Sequence, residues 1–127
     1  MNYQYIGKST PVNNSRAKAS GLLRYAGDMQ LPNMLHMKLV LSPVAHGIVK
    51  AIDSSAALAM PGVAAVLSFE NTVDTKYNRG RVRISEDVMD QETLFSRHVR
   101  FVGDRVAAVL ADSPEIAAAA AEAIQLE

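Results

Sequence analysis

The side chains in this sequence able to do chemistry are three histidines, an arginine row, a run of carboxylates and a few serines. The histidines stand at His36, His46 and His98. A local metal pattern such as HxxxH sets its ligands three or four residues apart, and spacings of ten and fifty-two residues match none. They read as solvated or hydrogen-bonding side chains. Arg79, Arg81 and Arg83 alternate, so in a strand all three point to one side and could hold phosphate or nucleic acid. Only Tyr77 accompanies them, no glycine-rich cradle is present, and Glu86, Asp87, Asp90 and Glu92 follow at once. The row reads as an internally neutralised loop. Those carboxylates could do acid/base work if burial raised a pKa, but the most polar stretch of the chain offers no burial. Ser42, Ser54, Ser55 and Ser113 occupy turns or helix starts, and none sits in a G-x-S-x-G setting. No P-loop and no G-x-G-x-x-G occurs. No residue is therefore assigned as catalytic, cofactor-binding or metal-ligating.

The totals narrow the class further. At 127 residues the length fits one domain, 1–127, and 49% hydrophobic content argues against disorder. Thirteen basic residues balance thirteen acidic ones, so no general attraction to nucleic acid or an anionic membrane is expected. Without cysteine there is no disulfide, thiolate nucleophile or iron–sulfur ligand in this segment. No apolar run approaches the roughly 20 residues of a membrane helix. The opening Met1-Asn2-Tyr3-Gln4-Tyr5 shows no export signal, so the cytoplasm is the default.

The elements that must position these side chains follow from pattern. Residues 1 to 21 read as an extended lead-in, and Leu22 to Ala26 as a short strand. Met34 to Leu41 is the clearest strand, with Leu35, Met37, Leu39 and Leu41 on one face and Met34, His36, Lys38 and Val40 on the other. That alternation predicts a sheet with one buried side and places His36 on the polar face. Gly47 to Ile52 reads as a second strand. Asp53-Ser54-Ser55 caps a helix over Ser55 to Met60, which Pro61-Gly62 ends. Val63 to Phe69 reads as a strand. Glu70 to Ser96 reads as a long excursion, with a short strand at Val82 to Ile84 and a possible contact surface over Asp74 to Glu92. Val99 to Phe101 and Val106 to Leu110 read as strands around a Gly103-Asp104 turn. Ser113, Pro114 and Glu115 then supply an N-cap, a first-turn proline and an acid for the positive helix end. The helix runs through Ala117 to Ala121 to Ile124. Gln125-Leu126-Glu127 opens one further strand, the expectation being a piece of a longer chain. The element order points to α+β, with one short and one longer helix.

Several segments in succession carry a resemblance. They are Ile6-Gly7-Lys8-Ser9-Thr10-Pro11, Arg16-Ala17-Lys18-Ala19-Ser20-Gly21, Arg24-Tyr25-Ala26-Gly27-Asp28, Leu31-Pro32, and Met34-Leu35-His36. Ser42-Pro43-Val44-Ala45-His46-Gly47, Ile52 to Ala57, Met60 to Val63 and Val99 to Val109 continue the series. Together they resemble the N-terminal α/β hammerhead domain of the molybdopterin-binding large subunit of the xanthine dehydrogenase and aldehyde oxidase family. The likeness covers nearly the whole chain except Glu70 to Gln91. It departs from the frequent family residues at Asn14, Ser20 and Asp104-Arg105.

The resemblance implies a mixed α+β hammerhead fold within an oxidoreductase. In that family a molybdenum–pterin cofactor hydroxylates a carbon of an aldehyde or heterocycle, a glutamate acts as base, and electrons leave through iron–sulfur clusters and FAD. No residue of this chain matches that glutamate or the pterin-binding loops. The implied role is a non-catalytic domain beside the molybdenum-binding domains of the same chain, with iron–sulfur and flavin subunits or domains as further partners. Neither nucleic acid nor membrane is expected as a partner. The competing expectation is a free-standing protein-interaction module without catalysis.

Overall fold

The computed structural model describes residues 3–77 and 92–127. The chain divides into two compact units, Met1–Pro32 and Asn33–Glu127.

In the first unit, Ser15–Ala19 forms helix α1, and Ala26–Asp28 a single 3-10 turn. The extended lead-in expected over residues 1 to 21 is thus interrupted, because Arg16-Ala17-Lys18-Ala19 contains no β-branched side chain and favours a helix. The strand expected over Leu22 to Ala26 does not form. The Asp28 carboxylate instead accepts the Tyr25 N–H at 2.9 Å, and the Asp28 N–H donates to the Tyr25 carbonyl at 3.0 Å. A local bond of this kind offers the backbone an alternative to a ladder. Neither helical element buries a residue.

The second unit is built on a three-stranded antiparallel sheet in the order β1 (His36–Leu41), β6 (Arg105–Ala111), β4 (Val63–Ser68). Helix α3 (Pro114–Glu122) leaves β6 and packs on one face, and the short α2 (Ser55–Leu58) lies with it. The predicted start of α3 is realised: the Ser113 hydroxyl accepts the Ile116 N–H at 3.2 Å, with Pro114 in the first turn. Gly62, at φ +85°, makes the turn between α2 and β4, and an added Cβ would meet the Ile116 side chain at 2.9 Å. Register places Val40 opposite Ala107, and Val66 opposite Val109. With Ala57, Ala120 and Ile124 these residues form the helix-side core. The alanines matter here: without larger side chains, α3 can approach β6 closely.

The extended run expected from Gly47 to Ile52 is split into β2 (Gly47–Ile48) and β3 (Ile52–Asp53). The split has a cause, since the run changes partner midway. β2 pairs with β5 (His98–Val99), and β3 with β7 (Gln125–Leu126). Between them the Val49 N–H donates to the Arg97 carbonyl at 2.9 Å, and the Lys50 N–H to the Glu127 carbonyl at 2.7 Å. The strand opened by Gln125 therefore has its partner inside the chain. Val49, Val99 and Val106 make a second buried cluster at this end.

One expectation reverses. The leucine face of β1 is not its buried face. Val40 packs under α3, with His36 half-buried on the same side, whereas Leu35, Met37 and Leu41 are 44%, 59% and 48% exposed. Helix α3 leaves β6 with its apolar stripe on the Ala107/Val109 side, and register then decides which face of β1 it covers. The strand expected at Val82 to Ile84 lies outside the described residues.

Candidate functional site

The polar side chains of the second unit are first engaged with the fold itself. Arg105, at the start of β6, donates through Nη2 to the Tyr77 hydroxyl at 2.8 Å, to Glu92 Oε2 at 3.2 Å and to the Thr93 carbonyl at 3.4 Å. Tyr77 and Glu92 also pair through their backbones, at 2.8 and 3.0 Å. One guanidinium thus ties together the chain on both sides of residues 78–91. Glu92, read from sequence as surface charge, is an anchor. Arg79, Arg81, Arg83, Glu86, Asp87 and Asp90, with most of the contact surface expected over Asp74 to Glu92, lie outside the described residues.

Asp104 is the buried charged group of the described chain, only 5% exposed. Its Oδ1 accepts from the Ser96 hydroxyl at 3.0 Å and the Arg105 N–H at 2.9 Å, and its Oδ2 from the Arg100 N–H at 3.3 Å. A carboxylate with three donors organises the loop between β5 and β6. Its carbonyl accepts the Ser42 N–H at 2.8 Å, which joins this loop to the end of β1.

The serines act locally, as their positions suggest. Ser42 Oγ donates to the Val44 carbonyl and accepts the Val44 N–H. Ser54 stands at the N-cap of α2 without a side-chain bond. Asp53 supplies the contact there instead, accepting from the Ser55 N–H at 2.9 Å and the Ser55 hydroxyl at 2.6 Å. Those bonds, the hydroxyl foremost, hold the Asp53 carboxyl below its ordinary value. Glu115 is likewise lowered, by its own backbone N–H and then by the Ser113 hydroxyl.

The histidines part company. His36 lies on the helix side of β1. His46 and His98, fifty-two residues apart, meet with their Nε2 atoms 3.0 Å from each other and their rings edge to face at 80°. Sequence spacing concealed this pair, because the β2–β5 ladder that joins them is two residues long. Among the described residues, no three His, Asp or Glu side chains gather as a metal cluster.

A cavity of about 500 Å³ lies among Phe69, Glu92, Phe95, Arg97, Asp104 and Arg105. Among its polar walls Arg105 bonds to Glu92, and Ser96 to Asp104, Arg97 stacks over Phe69 at 5.8 Å, and Asp74 and Lys76 also line it. No glycine is among the residues that line it.

What the unit offers outward is apolar. Met37 pairs with Leu110 and Leu110 with Ala65; Leu39 pairs with Ala108 and Ala108 with Leu67. Directly opposed residues share a face, so these six line the side of the sheet away from α3. Of these, Met37 is 59% exposed, Leu39, Ala65, Leu67 and Leu110 are half-buried and Ala108 is buried. Within the first unit taken by itself, Tyr5, Ile6, Val12, Leu22, Met29 and Leu31 are exposed. No helix among the described residues is long and apolar enough to cross a membrane.

Comparison with known proteins agrees with this architecture. Residues 20–127 match the family described as aldehyde oxidase and xanthine dehydrogenase, a/b hammerhead domain. The chain is 43% identical over 103 residues to the carbon monoxide dehydrogenase large chain of Hydrogenophaga pseudoflava, covering 81% of this chain and 12% of that one. It is 32% identical over 125 residues to the nicotinate dehydrogenase large molybdopterin subunit of Eubacterium barkeri, covering 98% and 28%. The crystal structure of quinoline 2-oxidoreductase from Pseudomonas putida 86 superposes with a TM-score of 0.83 at 33% identity, covering 95% of this chain and 16% of that one. The chain thus spans well under a third of these proteins.

Proposed function

Since the chain belongs to the α/β hammerhead family of aldehyde oxidases and xanthine dehydrogenases, whose members are molybdenum hydroxylases, we propose that it is a non-catalytic scaffold domain of such an oxidoreductase's large subunit. One observation carries this reading. The three-stranded sheet has one face covered by α3, whereas on the other Met37 is 59% exposed and Leu39, Leu67 and Leu110 are only half-buried around the buried Ala108. A sheet whose central strand reads Val106-Ala107-Ala108-Val109-Leu110 is apolar on both sides and calls for a layer on each.

The occupant of the second face is the molybdenum-binding part of the same polypeptide. Molybdopterin resides there, and iron–sulfur clusters and FAD in the subunits or domains that carry electrons away. The domain's own contribution is a rigid apolar platform. Its setting is the cytoplasm. No residue of this segment binds the molybdenum cofactor or takes part in hydroxylation.

Two measurements test the reading. The purified 127-residue chain should contain no molybdenum by mass spectrometry and turn over neither aldehydes nor heterocycles; stoichiometric molybdenum or turnover overturns it. Met37→Asp should change the stability of the isolated chain by about 0.5 kcal/mol or less, because the position is exposed. Joined to its molybdenum-binding domains, the same variant should lose about 2 kcal/mol, the cost of burying an unpaired charge. Equal effects in both settings reject this face as the contact.

A further inference from the structure

The His46–His98 pair has no part in that scaffold role. Both rings are exposed, both approach through Nε2, and the two backbones are held in place by separate devices. His46 directly precedes β2, after a turn fixed by the two bonds between Ser42 Oγ and the Val44 backbone. His98 opens β5, where it pairs with Ile48, and the Arg97 carbonyl beside it accepts the Val49 N–H. Two donor atoms on different segments are therefore set against each other by the ladder itself.

The pair is a bent hydrogen bond whose geometry also suits a chelate. In a straight Nε2–H···Nε2 bond of this length the ring centroids lie about 5.3 Å apart, since such bonds prefer a near-linear donor. Here they are 4.9 Å apart, so the rings are bent off the line between the nitrogens. A cation about 2.05 Å from each nitrogen would bring the centroids to about 4.7 Å and subtend about 94° between the donors. That angle is a cis angle of tetragonal or octahedral coordination and is narrower than the tetrahedral angle zinc prefers. Neutral imidazole suits copper, nickel and zinc, and affinity rises from nickel to copper and falls again to zinc.

We infer that His46 and His98 form a two-histidine chelate for a divalent transition cation, copper(II) first and nickel(II) second, with water completing the coordination. The site is independent of the scaffold reading and involves no redox step. In the metal-free chain one imidazole N–H donates to the other's lone pair. On binding, that ring gives up its Nε2 proton to solvent and takes one up from solvent at Nδ1, with no net proton release, and both neutral Nε2 lone pairs turn to the cation.

The test is a titration of the 127-residue chain with copper(II), nickel(II) and zinc(II) salts, read by calorimetry and by the copper spin-resonance spectrum. One copper should bind with two nitrogen couplings, more tightly than nickel or zinc. His46→Gln and His98→Gln should each weaken it at least tenfold, and His36→Gln should leave it unchanged. Equal affinity in all three variants, or a single nitrogen coupling, overturns the inference. Should a variant fold poorly, substoichiometric copper added to the unsubstituted chain serves instead. It should broaden the ring signals of His46 and His98 together and before those of His36, and equal broadening of all three is the contrary result.

Discussion

The Nε2 atom of His46 lies 3.0 Å from that of His98 across the two-residue pairing of β2 with β5. Neither histidine has a neighbour in sequence that announces the other. Their meeting shows how this fold gathers side chains: short ladders between distant segments, each only a few bonds long, bring loops to one end of a larger sheet. The same logic makes the loop bonds testable.

Asp104 concentrates several such bonds at one buried point. Asp104→Ala leaves the Arg105 and Arg100 N–H groups and the Ser96 hydroxyl without their acceptor. Bonds to a charged acceptor contribute about 1.5–3 kcal/mol each and do not add fully, so a loss of about 3 kcal/mol is expected in urea denaturation. Asp104→Asn keeps one acceptor oxygen and should lose less.

Gly62 turns the chain between α2 and β4 with φ +85°. A side chain in that conformation costs about 1–2 kcal/mol. Gly62→Ala adds to this a 2.9 Å approach to Cδ1 of Ile116, a flexible chain end that can move aside. The melting temperature should fall by an amount matching about 1–2 kcal/mol, with secondary structure retained by circular dichroism.

Ser113 caps α3, the helix that covers the core. Ser113→Ala removes the acceptor for the Ile116 N–H and should cost about 1 kcal/mol. Ser113→Asp retains an acceptor there and should recover most of it, which denaturant midpoints will resolve.

Asp53 and Glu115 set an acid limb. Both carboxyls lie below their ordinary values in the folded chain, Asp53 through the Ser55 hydroxyl and Glu115 through its own N–H. A depressed folded pKa means the unfolded chain takes up protons first as pH drops. The contribution is whole above the ordinary values, near about pH 5, and is lost as pH falls through about 4 and below. Stability followed from pH 6 to pH 3 should decline less steeply in Asp53→Asn than in the unsubstituted chain. An identical decline would separate Asp53 from the acid response.

Where local chemistry was strong, the chain was legible from sequence. Ser113-Pro114-Glu115 starts α3 as its residues dictate, Val106 to Leu110 falls within β6, and Val63 to Ser68 is a strand. The errors fall where local signals are weak. A two-residue strand has no period to detect, so the bounds of β5, the division of Gly47 to Ile52 into β2 and β3, and the partners of β5 and β7 became visible only in the structure. Leu22 to Ala26 had a strand's composition but no partner, and the Asp28 carboxylate took its place. Of the polar residues, Ser42 and Ser113 could be placed from their neighbours. The joining of Arg105 to Tyr77 and Glu92 could not, since nothing local links positions so far apart in the chain.

By itself the sequence determined the mixed α+β class, the helix-starting cap, the central apolar strand and the lack of any local catalytic motif. Those properties rest on interactions within a few residues, or on the two-residue period of a strand. Tertiary structure alone decided which face of β1 is covered. Alternation divides Leu39 from Val40 but does not say which one α3 will reach. It also decided that His46 meets His98, because that contact depends on the register between β2 and β5, and register is a property of two strands together.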